Sequence, residues 1–183
     1  MELERFWFSG AAKDLALSLE LHEAYDAQPR MCYWNAQSSL IRGIEDGCLP
    51  AEAVYCEGFS IMPDAPISFE HAWVELPDGT VVDPTLPLPG YAYFCADAYP
   101  ADRVWEYGCN PTITDYEEIG VIGFTTYGKH WGKMHSSPAW TRARLYAHYA
   151  CGYPVEWLRQ SLGKTPDQLW AEVTEHFAKH YRP

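Results

Sequence analysis

The stretch that most limits what this chain can fold into is His71-Ala72-Trp73-Val74-Glu75-Leu76-Pro77-Asp78-Gly79-Thr80-Val81-Val82-Asp83-Pro84-Thr85. Pro77 presets φ for the second position of a type I turn, Asp78 suits the third, and Gly79 can take the left-handed conformation that a bulge requires. The segment therefore predicts a β-hairpin with the three-residue loop Pro77-Asp78-Gly79. Side chains alternate along a strand, so loop length decides which of them share a face. Three loop residues set Leu76 opposite Thr80, Trp73 opposite Asp83 and His71 opposite Thr85, placing His71, Trp73 and Asp83 on one side. A two-residue loop would set Asp83 opposite Val74, on the other face. In the three-residue register Asp83 is diagonal to His71, at a Cβ separation of roughly 7–8 Å that an imidazole and a carboxylate can bridge.

The rest of the chain sets the class of fold. Residues 11–25 predict a helix broken by Gln28-Pro29-Arg30, and a second helix starts near Cys32 and runs to Gly43. Ala36, Ser39 and Gly43 fall on one stripe of that helix, so it can approach a sheet closely and suits a central position. Val54 to Met62 predicts a strand bounded by Pro63. Leu86 to Pro138 is crowded with Pro, Gly and aromatics and predicts a surface layer or lid, with one strand at Gly120 to Tyr127. Helices follow from Ala139 to Tyr149, after Pro154, and from Pro166 to Lys179, where Thr165 and Gln168 form a capping box. The order of elements predicts an α+β domain, and 183 residues predict a single one spanning 1–183.

Charge and cysteine usage narrow the function classes. With 25 acidic against 13 basic residues, a net charge of −12 repels phosphate backbones and anionic membranes, so neither nucleic acid nor membrane is an expected partner. No 18-residue apolar run occurs, and the start lacks a signal-peptide pattern, which predicts a cytoplasmic protein. The cysteines Cys32, Cys48, Cys56, Cys95, Cys109 and Cys151 show no C-x-x-C pairing and are expected to be reduced. His130 with His135, and His176 with His180, lack neighbouring ligands at a recognised spacing, so no metal site is expected.

Cys32 stands apart from the other thiols because it opens a helix. A thiolate is stabilised at a helix N-terminus and beside an imidazolium. Were that helix end to abut the hairpin, Cys32 would serve as nucleophile, His71 as base and Asp83 as the group that fixes the imidazole. The Cys32 amide N–H is a natural oxyanion donor, with Gln28 and Asn35 as further ones.

Met31-Cys32 opening a helix, Tyr55-Cys56-Glu57-Gly58-Phe59, His71-Ala72-Trp73-Val74-Glu75 and Val82-Asp83-Pro84-Thr85 together resemble the core of transglutaminase-like proteins of the papain-like cysteine superfamily, especially small bacterial and phage members. The resemblance covers about residues 28–86. It implies a papain-like fold, a central Cys-bearing helix packed on a small antiparallel sheet, a Cys32-His71-Asp83 triad acting on a peptide or other amide through a thioester, Trp73 as a wall of the site, and no cofactor. The residues around Cys32 depart from the eukaryotic transglutaminase motif and no calcium-binding loop is recognisable, so hydrolysis and transfer to an amine both remain open. A second reading is a transglutaminase-like fold without turnover, binding or inhibiting a protein through the Leu86 to Pro138 layer.

Overall fold

The computed structural model describes residues 12–63, 65, 67–108, 138–152 and 168. The expected strand at Gly120 to Tyr127 and the helices after Pro154 and Pro166 lie outside the described residues, Gln168 excepted. Helices α1 (Leu15–Ala24) and α2 (Cys32–Glu45) precede strands β1 (Val54–Ile61), β2 (Ser68–Glu75), β3 (Val81–Val82) and β4 (Ala92–Pro100). Helices α3 (Ala101–Gly108) and α4 (Pro138–Ala150) follow. The strands form one antiparallel sheet in the order β3-β2-β1-β4, so the architecture is α+β.

α1 starts four residues later than its composition suggests. Asp14 caps it, its carboxylate accepting from the Leu17 N–H at 2.9 Å, and the preceding residues are drawn into extended pairing with β3. The Asp14 N–H donates to the Val81 carbonyl and the Val81 N–H to the Ala12 carbonyl. α2 begins at Cys32 as expected and runs two residues past Gly43. Ala36 and Ser39 are buried, and a Cβ on Gly43 would stand 2.7 Å from Leu49, which is why that stripe must be small.

The hairpin has the expected register. Val74 pairs with Val82 and Glu75 with Val81, while the Leu76 N–H donates to the Thr80 carbonyl at 2.9 Å. Gly79 has φ 84°, the left-handed conformation the loop requires. The second arm is shorter than the expected Thr80 to Thr85. It ends at Val82 because the Asp83 N–H donates to Ser18 Oγ instead of a strand partner, and Pro84 has no N–H to offer.

Leu86 to Pro138 is not a surface layer throughout. Residues 92–100 form β4, which completes the sheet against β1, and 101–108 form α3. The β1–β4 register shifts between Glu57 and Gly58, and a Cβ on Gly58 would stand 2.1 Å from the Phe94 carbonyl oxygen. Only glycine permits the strands to approach there.

One face of the sheet carries the main core. Tyr55, Ala72, Val74 and Val82 pack with Leu21 of α1, Ala36 and Leu40 of α2 and Val104 of α3. Phe59 and Phe94 extend it under Trp140, Ala143, Tyr146 and Ala147 of α4. On the other face Cys56, Trp73, Val81 and Tyr93 cluster. In a flat four-stranded sheet the outer strands would be about 14 Å apart. Here the Tyr93 hydroxyl of β4 donates to Asp83, at the end of β3, at 2.7 Å. The sheet therefore curls, and side chains from its two outer strands meet over that second cluster.

Candidate active site

Asp83 lies inside this curl with no exposed surface, and each of its carboxylate oxygens has a separate task. Oδ1 accepts the backbone N–H groups of Thr85 at 3.0 Å and Leu86 at 3.1 Å, an Asx-type turn around Pro84. Oδ2 faces the site. It lies 2.9 Å from His71 Nε2 and accepts the Tyr93 hydroxyl, and Lys13 Nζ stands 3.6 Å away. Facing a carboxylate, Nε2 must carry a proton and donate, which leaves Nδ1 as the ring nitrogen open to another partner. Cys32 acts on the same imidazole, its thiol raising the His71 pKa through hydrogen bonding and charge.

The electrostatics follow from burial set against pairing. Burial alone pulls the imidazolium of His71 toward the neutral form, but the Asp83 charge and hydrogen bond, helped by Cys32, outweigh it and raise the pKa from 6.5 to about 9. Burial likewise pushes the Asp83 carboxyl up, and His71, Lys13 and Tyr93 together bring it down to about 2. Burial raises the Tyr93 phenol, with Asp83 adding to the shift, so the hydroxyl stays protonated as a donor. At neutral pH the site thus sets two cations, Lys13 and the imidazolium, against one buried carboxylate.

Aromatic rings enclose His71. Trp73 is stacked near parallel at 6.4 Å between centroids, Phe69 meets it edge-on at 5.6 Å, and Tyr93 is 6.2 Å away. Trp73 thus stands beside the imidazole, buried in the second cluster. The other expected residues differ. Asn35 is buried, and both hydrogens of its amide are committed, to the Gln28 carbonyl at 2.7 Å and Thr85 Oγ1 at 3.0 Å. Its Oδ1 accepts the Gln28 N–H at 3.0 Å. In place of an oxyanion contact, Asn35 ties the turn before Cys32 to the segment after Asp83. The Gln28 side chain is exposed and donates to the Asp26 carbonyl at 2.8 Å.

The start of α2 has no side-chain cap, because Met31 at the N-cap position carries no acceptor. The Cys32 N–H lies in the first turn of this helix end, where the macrodipole is positive.

Four side chains that the sequence does not flag hold this arrangement. Lys13 precedes α1, Ser18 and His22 lie one turn apart on it, and Tyr93 is on β4. The Ser18 hydroxyl accepts the Asp83 N–H at 2.9 Å, and His22 Nδ1 is 2.6 Å from the Pro84 carbonyl oxygen. α1 thereby grips the Asp83-Pro84 segment from the side. A polar stripe at i,i+4 spacing on a first helix reads equally well as a solvated face, so only the fold distinguishes it.

Among the described residues no group of three or more His, Cys, Asp or Glu is placed to hold a metal ion, and no helix is long and apolar enough to cross a membrane. His130, His135, His176 and His180 lie outside the described residues. The described cysteines are free thiols, with Cys48 and Cys95 exposed. The chain matches no protein-family model, no curated protein and no solved structure.

Proposed function

We propose that the protein is a cysteine-dependent amide hydrolase or acyltransferase in which Cys32, His71 and Asp83 act as nucleophile, acid–base and orienting group. The observation that carries this reading is the convergence of three segments on one imidazole: Asp83 at 2.9 Å on Nε2, and Cys32 at the start of a helix as its other polar partner. The helix-on-curled-sheet arrangement supports a papain-like, transglutaminase-like assignment, since such folds present a helix-borne thiol to a strand-borne histidine. The positive excess of Lys13 and His71 over Asp83 favours an anion beside the ring, which suits Cys32 to the part of nucleophile.

The reaction follows from this charge state. The Cys32 sulfur attacks the amide carbonyl carbon, and the developing oxyanion is met by first-turn N–H groups of α2. As the C–N bond breaks, the leaving nitrogen takes the proton from Nδ1 of His71, and a thioester remains on Cys32. His71, now neutral, takes a proton from a water or amine that attacks the thioester, and the free thiolate and imidazolium return. Asp83 stays ionised throughout and keeps Nε2 protonated, so the proton in play is given up and regained at Nδ1. The substrate class is a peptide or side-chain carboxamide, and no cofactor enters the cycle.

An electrophilic peptide probe, such as a vinyl sulfone, tests this directly, because it reports on the thiol itself and needs no matched substrate. Cys48 and Cys95 are exposed and provide comparison thiols within the same molecule. Peptide mapping should show Cys32 labelled at least tenfold faster than either, and His71→Ala should abolish the difference. Equal labelling of the three thiols would remove the reading and favour a binding module without turnover.

A further inference from the structure

Lys13 is absent from the triad logic, yet its placement is as specific as that of any triad member. Its ammonium has three N–H donors and meets three acceptors: the Leu86 carbonyl oxygen, the Tyr93 hydroxyl at 2.6 Å and Asp83 Oδ2 at 3.6 Å. The rings of Tyr91 and Tyr93 lie 5.3 and 5.2 Å from the same nitrogen. The side chain is 7% exposed. Extended pairing with Val81 fixes its backbone at the edge of β3. A surface lysine would gain nothing from such confinement, because burial disfavours its charge.

We propose that Lys13 is a positioning residue of the reaction, an ammonium that holds Oδ2 of Asp83 between itself and His71 and so limits how firmly the imidazolium keeps its proton. Two cations share one oxygen, so Lys13 and His71 stand less than about 6.5 Å apart, the most that separations of 3.6 and 2.9 Å from a common atom allow. Each lowers the other's hold on a proton. An imidazolium held by an unshared carboxylate would be a poor acid toward a leaving amine; with the carboxylate shared, the proton on Nδ1 is released more easily. The other described titratable groups facing this pair are Cys32 from α2, Tyr93 from β4, Tyr91 just before β4, and His22 from α1 through the Pro84 carbonyl.

The role in catalysis rests on the proposed reaction, while the effect on His71 does not, and the experiment separates them. Histidine-labelled protein, with His71 assigned through His71→Gln, is titrated by NMR as wild type and as Lys13→Met. Removing a cation at this distance should move the His71 midpoint upward, by roughly half a pH unit if the pair is screened as in water and about two if screened as in protein. The alkaline limb of amide turnover should move with it. Should Lys13→Met not fold, Lys13→Gln is neutral and can still donate to Leu86 or Tyr93, and the same shift applies. A midpoint that stays put or moves down overturns the proposal, since a purely structural lysine would lower activity at every pH alike. An upward shift in a protein that shows no Cys32-dependent chemistry would sink the reaction but leave the Lys13–His71 coupling standing.

Discussion

Replacing Asp83 by Asn probes the site more sharply than removing the nucleophile, because it alters charge while nearly preserving shape. In the folded protein the two carboxylate oxygens face only donors: Thr85 and Leu86 N–H on Oδ1, and His71, Tyr93 and Lys13 on Oδ2. An amide has one oxygen, so its NH₂ must face donors whichever way it turns. Removing one partner from a buried charge pair costs about 3–5 kcal/mol. For a chain of this size each kcal/mol lowers Tm by about 2–4 °C, so Asp83→Asn should melt about 6–20 °C below wild type near neutral pH.

The pH dependence of that gap tests the cause. His71 has its pKa raised from 6.5 to about 9 in the fold, so the stability it contributes is complete below 6.5 and is lost as pH rises through 9. Asp83 is lowered from 3.8 to about 2, so its contribution is complete above 3.8 and is lost as pH falls through 2. Both are present between about 4 and 6.5. In Asp83→Asn only Cys32 is left to oppose burial and His71 shifts toward the neutral form, so acid further destabilises the variant. Calorimetry at pH 5.5 and pH 9.5 should give a clearly larger Tm difference at the lower pH. A difference equal at the two pH values, or larger at 9.5, would refute the ion-pair account and reduce Asp83 to a turn residue.

Asn35→Ala should cost about 1–3 kcal/mol in urea unfolding, because it removes three part-buried hydrogen bonds, with the Gln28 N–H, the Gln28 carbonyl and Thr85 Oγ1. Probe labelling of Cys32 should slow as well, since the turn leading into α2 loses its tie; unchanged labelling would limit Asn35 to stability. Gly58→Ala should be destabilising by at least about 3 kcal/mol, because the new methyl would stand 2.1 Å from the Phe94 carbonyl oxygen and would force β4 off β1. Circular dichroism and thermal melting read this directly, and a variant within about 1 kcal/mol of wild type by the same assay would show that the bulge can relax.

The parts of the site legible in the sequence are those governed by local rules. Turn chemistry at Pro77-Asp78-Gly79 sets the loop length, the loop length sets the register, and the register sets which side His71, Trp73 and Asp83 share. The start of α2 at Cys32 is similarly local, following the Pro29 break. What was hidden depends on partners far away in the chain. Lys13 meets Tyr93 across 80 positions and Ser18 meets Asp83 across 65, and nothing near a lysine before a first helix or a serine on it announces such a contact. β4 was hidden for another reason. It is an edge strand with mixed burial, its register is broken by the Gly58 bulge, and Ala, Asp and Pro dilute any alternation.

The two roles of Asp83, as acceptor in the turn at Pro84 and as partner of His71, are one design. β3 is only two residues long because the Asp83 N–H is taken by Ser18 and Pro84 has none to offer. Had pairing continued to Thr85, the N–H groups of Thr85 and Leu86 would have been drawn toward a strand partner or solvent instead of converging on Oδ1. With those two N–H groups in place, the carboxylate plane is fixed by its own backbone, and Oδ2 is aimed at the ring before any other side chain contributes. The early end of the strand is therefore what gives His71 a carboxylate of fixed direction. The curl of the sheet then closes Tyr93 over the same oxygen from the far edge, and the ion pair is shut away from water, where it is strongest.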